Sequence, residues 1–272
     1  MRHLSRSSTA IVRRWAPRLH KIERGGRTHL AALAEVVPGS VDDALRTAHG
    51  EAFIDPQLRS EGDAHLQSVL ARSRATFDGP VLVLDRIEGT TIHVKHAGYF
   101  DMIATCDALM SDIHLRHRAQ QLAGGDPLHT GHGRAAAVGV GGVVVRSGRF
   151  TLGRRAPQLA LDPGRWHLVP SGTVDARGLE ATIAAELREE HGIEQVTALR
   201  VLGLGWDLAR LRPELTLMTP DLGDVAAPLP SDEFTEFLEI PLDLDAIAKA
   251  WAMDLTPAAA VGLAAVEREL QR

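Results

Sequence analysis

The chain has 272 residues, of which 44% are hydrophobic, and its net charge is −5. This composition is ordinary for a globular protein and supplies enough apolar side chains for a sizeable core. Its one cysteine, Cys106, excludes an intrachain disulfide bond and a cluster of thiolate metal ligands. The longest apolar run, residues 135–145, is shorter than the roughly 18 residues of a membrane span. We therefore expect a cytoplasmic protein without a membrane partner.

The first 27 residues are basic, because they contain eight Lys or Arg and a single acidic residue, Glu23. Their net charge is +7. Because the whole chain carries −5, the remaining residues carry −12. An arm of this kind can contact RNA, acidic lipid or an anionic substrate. It lacks the apolar segment and cleavage site of a secretory signal, and we interpret it as a solvated terminus.

Residues 28–125 predict a small α/β unit. Leu30, Leu33 and Val36 recur at helical spacing, and a second amphipathic segment begins at Asp63. Two strand-like runs, joined through Glu88 and Gly89, predict a β-hairpin. The predicted elements are helices over 28–37, 63–74 and 99–110, and strands over 81–87 and 90–96.

A glycine-rich loop around Asp126 and Pro127 predicts a domain boundary. We expect an N-terminal α/β domain with its basic arm over residues 1–130, and a second domain with C-terminal helices over 131–272. Strands are predicted over 136–146, 149–154, 166–169, 199–204, 214–219 and 237–240, and helices over 179–191, 244–253 and 257–270. Strands that alternate with a few helices indicate the α/β class and an α/β/α sandwich.

The helix predicted over 179–191 carries a cluster of acidic residues. Glu186, Glu189 and Glu190 have the spacing i, i+3 and i+4, which places three carboxylates on one helix face. Carboxylate oxygens are the ligands that Mg²⁺ or Mn²⁺ prefers, and a divalent cation would offset the repulsion among them. An acidic helix face is more commonly just solvated, so the spacing alone leaves both interpretations open.

The sequence around this helix resembles the Nudix box, G-x5-E-x7-R-E-U-x-E-E-x-G-U with U an aliphatic residue. The segment 166–172, WHLVPSG, looks like the W-x-l-P-G-G entry of that family, and the resemblance extends over about residues 136–244. It implies a Nudix α/β/α sandwich preceded by a smaller N-terminal α/β domain. The matching positions of the box are Glu186, Leu187, Glu189, Glu190, Gly192 and Ile193.

The resemblance implies hydrolysis of the pyrophosphate bond of a nucleoside diphosphate derivative. In that family the metal would be held by Glu186, Glu189 and Glu190, with help from the carbonyl of Gly172. The general base varies across the family, and Glu189, Glu190 or Glu233 is expected to serve here. Glu233 belongs to an acidic loop before the last strand, which a solvated turn would also explain.

Two departures from the box leave the activity open. Ala185 stands where the family has an arginine, and the loop after Gly172 is one residue shorter than the family pattern. The nearest acidic candidate for the first box glutamate is Glu180, and Arg177 could supply the missing cation. An active enzyme is the first hypothesis, and a non-catalytic Nudix-fold ligand sensor is the alternative. The C-terminal helices are not basic, which argues against nucleic-acid binding.

The unit before the box gives a loose clue to the substrate. Phe77 to Val81, Gly98 to Asp101 and Asp126 to Leu128 look like segments of a Nudix subgroup that includes UDP-glucose and UDP-galactose hydrolases. That resemblance implies UMP and a sugar 1-phosphate as products. ADP-ribose, NADH and coenzyme A derivatives are alternative substrates. We expect a small-molecule nucleotide partner, and a homodimer is left open.

Two other groups of residues are assigned no chemistry. His114 with His117 and His129 with His132 are pairs without a fixed common element, and we interpret them as exposed histidines. Cys106 has no His–Asp array beside it in the sequence and is interpreted as a small core residue.

Overall fold

We describe the protein from a computed structural model that covers residues 19–72, 78–159, 161–196, 198–224, 227–229 and 231–272. Residues 1–18 of the basic arm and Phe77 lie outside these ranges. The strands are β1 (Leu19–Arg24), β2 (Arg27–Ala34), β3 (Leu45–Glu51), β4 (Pro80–Glu88), β5 (Thr91–Gly98), β6 (Gly139–Val143), β7 (Arg149–Arg155), β8 (Trp166–Leu168), β9 (Ser171–Thr173), β10 (Arg200–Asp207), β11 (Arg212–Met218) and β12 (Phe234–Pro241). The helices are α1 (Val41–Ala44), α2 (Pro56–Glu61), α3 (Asp63–Arg72), α4 (Tyr99–Thr105), α5 (Ile113–Leu122), α6 (Leu179–His191), α7 (Leu244–Ala250) and α8 (Pro257–Leu270), with a 3₁₀ turn at Asp107–Met110.

The largest sheet has the strand order β1-β2-β10-β11-β6-β9, and its pairs are antiparallel except for β11 with β6. Glycines on both faces let helices approach it closely. A Cβ at Gly203 or Gly205 would press into side chains of α8, and a Cβ at Gly142 would press into Pro170. Ile183 of α6 lies behind Pro170 on that second face. The chain is thus a mixed α/β protein with helices on both faces of its main sheet, as predicted.

Two three-stranded sheets complete the fold of the described residues. One has the order β12-β7-β8 and the other the order β3-β5-β4. β8 leads into β9 through the cis peptide bond between Val169 and Pro170, so the second sheet feeds directly into the edge of the first. Across the ranges covered here, no helix is long and apolar enough to cross a membrane.

Most predicted elements are confirmed, including α3, the β4–β5 hairpin, α6 and α8, but the helix predicted over 28–37 is wrong. That segment forms β2, which pairs with β1 on one side and with β10 on the other. Leu30 is 60% exposed, whereas Ala31 and Ala32 are buried. The helical spacing of the large apolar residues therefore does not mark the buried face. The strand predicted over 136–146 is also shorter than expected, since β6 spans five residues.

The residues before and after the predicted domain boundary are hydrogen-bonded to each other. Leu84 donates its backbone N–H to Ala136 at 2.9 Å, and Leu82 donates to Val174 at 2.8 Å, so β4 lies against the second half of the chain. Residues of both halves belong to one hydrophobic core. Moreover, β1 and β2 extend the sheet built mainly from the second half. The division at 130 and 131 stays a prediction, and "N-terminal unit" below means the described residues up to 130.

Candidate active site

The helix that carries the acidic cluster is held at both ends. Thr182 accepts the backbone N–H of Asp175 at 3.1 Å and donates to the carbonyl of Gly178 at 2.9 Å, which fixes the short loop before α6. Gly192 follows the helix with φ of 65°, and its N–H bonds back to the last turn, as a C-terminal glycine does. Ile183 and Leu187 are buried in the main core. The local sequence therefore fixes the orientation of the acidic residues.

Glu186 lies directly over Gly172, which belongs to β9. A Cβ at Gly172 would overlap the Glu186 carboxylate, so any other residue there would force that carboxylate to move. The pKa of Glu186 is raised to about 8, chiefly by burial and also by the charges of Glu189, Glu233 and Asp175. The structure thus brings together two of the residues that the sequence predicted for metal binding.

Glu190 is the more deeply buried glutamate, with 8% of its surface exposed. Its Oε2 atom has no hydrogen-bond partner among the described residues. Burial raises its pKa to about 9, with further contributions from Glu186 and Glu233, while the backbone N–H of Ser171 opposes the rise. An ionised carboxylate so placed is unfavourable unless a cation or a donor compensates it.

Glu189 and Glu180 lie outside this buried pair. Glu189 is exposed, and its charge raises the pKa of Glu186. Glu180 lines a groove of about 550 Å³ on another side of α6, together with Val41 and Glu194. Within the described ranges, no three His, Cys, Asp or Glu side chains are arranged to hold a metal ion. The three-glutamate metal site therefore stays a prediction.

Among the described residues, no arginine bonds directly to Glu186, Glu189 or Glu190 in place of the one missing from the box. Ala185 is buried, with 6% of its surface exposed. Arg177 pairs with Asp175 at 2.6 Å instead of with a glutamate, and Arg188 lies 3.6 Å from Glu194. The charge of Arg177 nevertheless lowers the pKa of Glu186, so its compensation acts through space.

Glu233 approaches the pair from the segment before β12. Its carbonyl accepts the backbone N–H of Ala156 at 2.8 Å, which anchors the acidic loop to the end of β7. Its carboxylate is exposed, and its charge raises the pKa of both Glu186 and Glu190. The charge of Glu233 therefore reaches both buried glutamates, in addition to the charge of Glu189 on Glu186.

The sequence did not single out Arg155, which ends β7 beside these carboxylates. Its Nε donates to the carbonyl of Leu161 at 2.9 Å, and no described residue accepts from its two Nη atoms. Its charge opposes the rise in the pKa of Glu190. The sequence could have indicated this residue, because Arg154 and Arg155 are consecutive at the end of a predicted strand. Successive side chains of a strand point to opposite faces, so one of the two arginines points inward. Arg154 is exposed and Arg155 is half-buried.

Tyr99 brings the N-terminal unit toward the buried glutamates. Its backbone N–H bonds to Gly79 at 2.9 Å, and the adjacent Pro80 accepts the N–H of Ala176 in the loop before α6 at 3.2 Å. Burial raises the pKa of the Tyr99 hydroxyl, and the charge of Glu233 raises it further while that of Arg155 lowers it. The tyrosine therefore lies within electrostatic reach of both residues.

The residues assigned no chemistry behave as expected with one exception. His114, His117 and His132 are exposed, and Cys106 is fully buried in the core. The expectation of an exposed His129 is wrong, because its Nδ1 lies 2.6 Å from a carboxylate oxygen of Asp126 and its side chain is largely buried. Trp206 lies edge-on to the ring, with 6.2 Å between the ring centroids.

No protein-family model matches the chain, and no curated protein matches it. The MutT protein from Methanosarcina mazei Go1 is 24% identical, with a TM-score of 0.41 over 50% of this chain and 96% of that one. The MutT NUDIX hydrolase from Burkholderia pseudomallei is 26% identical, with a TM-score of 0.36 over 48% and 97%. The NUDIX domain of Shewanella oneidensis NrtR, solved with ADP ribose, is 18% identical, with a TM-score of 0.38 over 50% and 90%. Similarities at these TM-scores assign neither a family nor an activity to this chain.

Proposed function

We propose that this chain is a metal-dependent hydrolase of the Nudix type, which cleaves the pyrophosphate bond of a nucleoside diphosphate derivative. The observation that carries the proposal is the buried carboxylate of Glu190, whose Oε2 has no hydrogen-bond partner among the described residues. Glu186 lies one helical turn before it and raises its pKa. Two acidic groups with raised pKa values, beside a strand–turn–helix segment that resembles the Nudix box, are typical of a catalytic site.

The residues present fit a divalent cation. Glu186 and Glu190 offer hard oxygen atoms that are costly to keep ionised without a positive charge, and both suit Mg²⁺ or Mn²⁺. The further ligands that the resemblance implies are Glu189 and the carbonyl of Gly172. When bound, such a cation neutralises phosphate oxygens and lowers the pKa of a water molecule.

The side chains around the pair supply the remaining functions. Arg155 has two Nη donors without described acceptors, so it can bind a phosphate oxygen through charge-assisted hydrogen bonds. The exposed carboxylate of Glu233 is our choice for the group that takes the proton from the attacking water, with Glu189 and Glu190 as the alternatives. Tyr99 is our choice for a side chain that covers the bound substrate and helps to exclude water.

For the substrate we propose a nucleotide sugar such as UDP-glucose, which would give UMP and glucose 1-phosphate. Support comes from the loose resemblance of the described parts of the N-terminal unit to the UDP-sugar subgroup. ADP-ribose is the next candidate, because its pyrophosphate bond presents the same chemistry to the site. The proposal includes a cytoplasmic location and no nucleic-acid partner.

The test is phosphate release from a substrate panel with Mg²⁺ or Mn²⁺ and an added phosphatase. The panel contains UDP-glucose, UDP-galactose, ADP-ribose and NADH. We expect hydrolysis by the natural chain, loss of most activity in Glu190→Gln, and full activity in Glu194→Gln, whose side chain is 78% exposed just beyond α6. No hydrolysis of any compound, or full activity of Glu190→Gln, would contradict the proposal.

A non-catalytic ligand sensor is the second candidate. It is favoured by the buried Ala185 at the arginine position of the box and by the outward position of Glu189. A sensor would bind a panel compound in calorimetry and hydrolyse none of them, whereas an enzyme would release phosphate.

A further inference from the structure

The turn between β10 and β11, residues 208–211, docks into the N-terminal unit. Arg116 of α5 donates to the carbonyls of Leu208 and Ala209 at 2.6 and 2.7 Å. The buried Arg134 donates to the carbonyl of Leu211. The side chain of Leu211 completes a separate apolar cluster with Leu58, Ala108, Leu109, Leu115 and Ala119. The turn is thus held by residues that are distant in sequence.

Arg210 lies within this turn, and its side chain is 2% exposed. Its guanidinium contacts three carboxylates from three parts of the chain. Nε lies 2.8 Å from Asp107 in the N-terminal unit, Nη1 lies 2.6 Å from Asp207 at the end of β10, and Nη2 lies 3.0 Å from Asp162 in the loop between β7 and β8. These charges raise the pKa of Arg210 against the effect of burial, so the arginine stays charged.

Asp162 continues this connection toward the candidate active site. It has a φ of 45°, a left-handed conformation that is unfavourable for this residue type, and its other carboxylate oxygen lies 3.0 Å from Arg165. The preceding carbonyl, of Leu161, accepts from Nε of Arg155, and Gly164 donates its N–H to the carbonyl of Arg155 at 2.9 Å. The loop therefore holds the backbone and the guanidinium of Arg155.

We propose that Arg210 is a positioning residue that couples Asp107 of the N-terminal unit, through Asp162, to the direction of the Arg155 guanidinium. The proposal rests on the proposed function, in which Arg155 binds a substrate phosphate. Arginine suits this position because three separate nitrogen atoms of its planar fork each reach one carboxylate, whereas lysine offers a single nitrogen atom. Removing one partner of such a buried ion pair leaves the others uncompensated, and the loop loses its fixed geometry.

The first experiment measures kcat and KM for the best panel substrate in the full chain. Asp162→Asn keeps the shape of the side chain, removes the charge that Arg210 and Arg165 share, and replaces one of the two accepting oxygens, so one charge-assisted bond is lost. We expect KM to rise about 10-fold, the size of one such bond, with kcat nearly unchanged. Arg210→Lys should raise KM at least as much. Arg200→Gln is the matched control, because Arg200 pairs with Glu269 at the surface of the same sheet, away from the loop.

The second experiment separates positioning from general stability. If Arg210 and Asp162 act through Arg155, then Asp162→Asn should cause no further rise in KM when Arg155 is already glutamine. The same factor in both backgrounds would overturn the proposal, as would a lowered Tm with an unchanged KM. Should Arg210→Lys fail to fold, Asp162→Asn and Asp107→Asn carry the test.

Hydrogen exchange distinguishes failure of this inference from failure of the proposed function. We expect faster amide exchange in residues 161–165 for Asp107→Asn and Asp162→Asn, with little change in α6. Unchanged exchange in that loop overturns the coupling, whether or not the protein hydrolyses anything. If the natural chain is inactive on the whole panel but the loop exchanges faster, the coupling holds and the phosphate-binding role of Arg155 fails.

Discussion

Glu186 lies one helical turn before Glu190, and its charge adds to burial in raising the pKa of Glu190 to about 9. The pair is therefore largely protonated near neutral pH unless a cation is bound. This relationship links the stability of the protein to both pH and divalent metal.

We expect the metal-free protein to lose stability as pH rises from about 4.5 to about 9. The sign follows from proton binding, because in this range the folded state keeps a proton on Glu190 that the unfolded state releases. The limiting slope is about 1.4 kcal/mol per pH unit for each such proton. Tm measured in chelator across this range should fall less steeply in Glu190→Gln. The raised pKa of Glu214, about 7, acts in the same direction in both proteins and cancels in the comparison.

Added Mg²⁺ should reverse this trend. A cation that binds the ionised pair stabilises the folded state more at high pH, so the increase in Tm should be larger at pH 9 than at pH 6. An equal increase in Tm in the natural chain and in Glu190→Gln would show that the metal binds elsewhere.

Charge removal in the candidate site should affect activity according to position on α6. Glu186→Gln and Glu190→Gln should each lower kcat by roughly 100-fold, a loss typical of removing one group that stabilises developing charge. Glu180→Gln should retain activity, because Glu180 lines a groove on another side of the helix. The readout is phosphate release at saturating metal. If Glu180→Gln were as inactive as Glu190→Gln, our assignment of the site to the Glu186–Glu190 side of α6 would be wrong.

Restoring the arginine of the Nudix box should destabilise this chain. Ala185 is 6% exposed, so Ala185→Arg forces a long charged side chain into packed surroundings, at a cost of about 1–3 kcal/mol. Urea unfolding measures the loss, and Ala184→Arg, at a half-buried position that lines the groove, is the control. A stable Ala185→Arg protein with tighter Mg²⁺ binding would show that the family's arginine can be accommodated.

Substitution of Arg155 should raise KM, whereas substitution of its sequence neighbour Arg154 should not. Arg155→Gln removes a half-buried cation beside the acidic pair, and we expect KM for a pyrophosphate substrate to rise about 10-fold. Arg154→Gln removes an exposed cation 3.7 Å from Glu236 and should leave KM unchanged. Arg155→Lys should recover part of the loss. Equal effects of the two glutamine substitutions would indicate a general electrostatic attraction instead of a binding contact.

Deletion of the residues before Gly131 should unfold the rest of the chain. The truncated protein lacks β1, β2 and β4, and it leaves the buried Arg210 without Asp107. Circular dichroism and chemical denaturation would detect the loss of cooperative structure. A folded truncated protein with the natural kcat/KM and substrate ranking would show that the N-terminal unit contributes nothing to the site.

Local sequence determined the helix that carries the site. The spacing of Ile183 and Leu187 gives α6 a buried face, and Gly192 ends it where a left-handed residue is needed. The box resemblance identifies Glu186 and Glu190 as candidate site residues from the sequence alone. These features are readable because each depends on residues within a few turns of one another.

Tertiary structure decided that β2 is a strand and which side chains lie near Glu186 and Glu190. The apolar spacing of residues 28–37 indicates a helix, but pairing with β10, far along the chain, satisfies the backbone of a strand. Likewise, the exposure of Glu189, the inward position of Arg155 and the contact between Asp107 and Arg210, 103 residues apart, depend on which distant segments pack together. Burial and charge coupling are properties of the packed chain, and no local spacing encodes them.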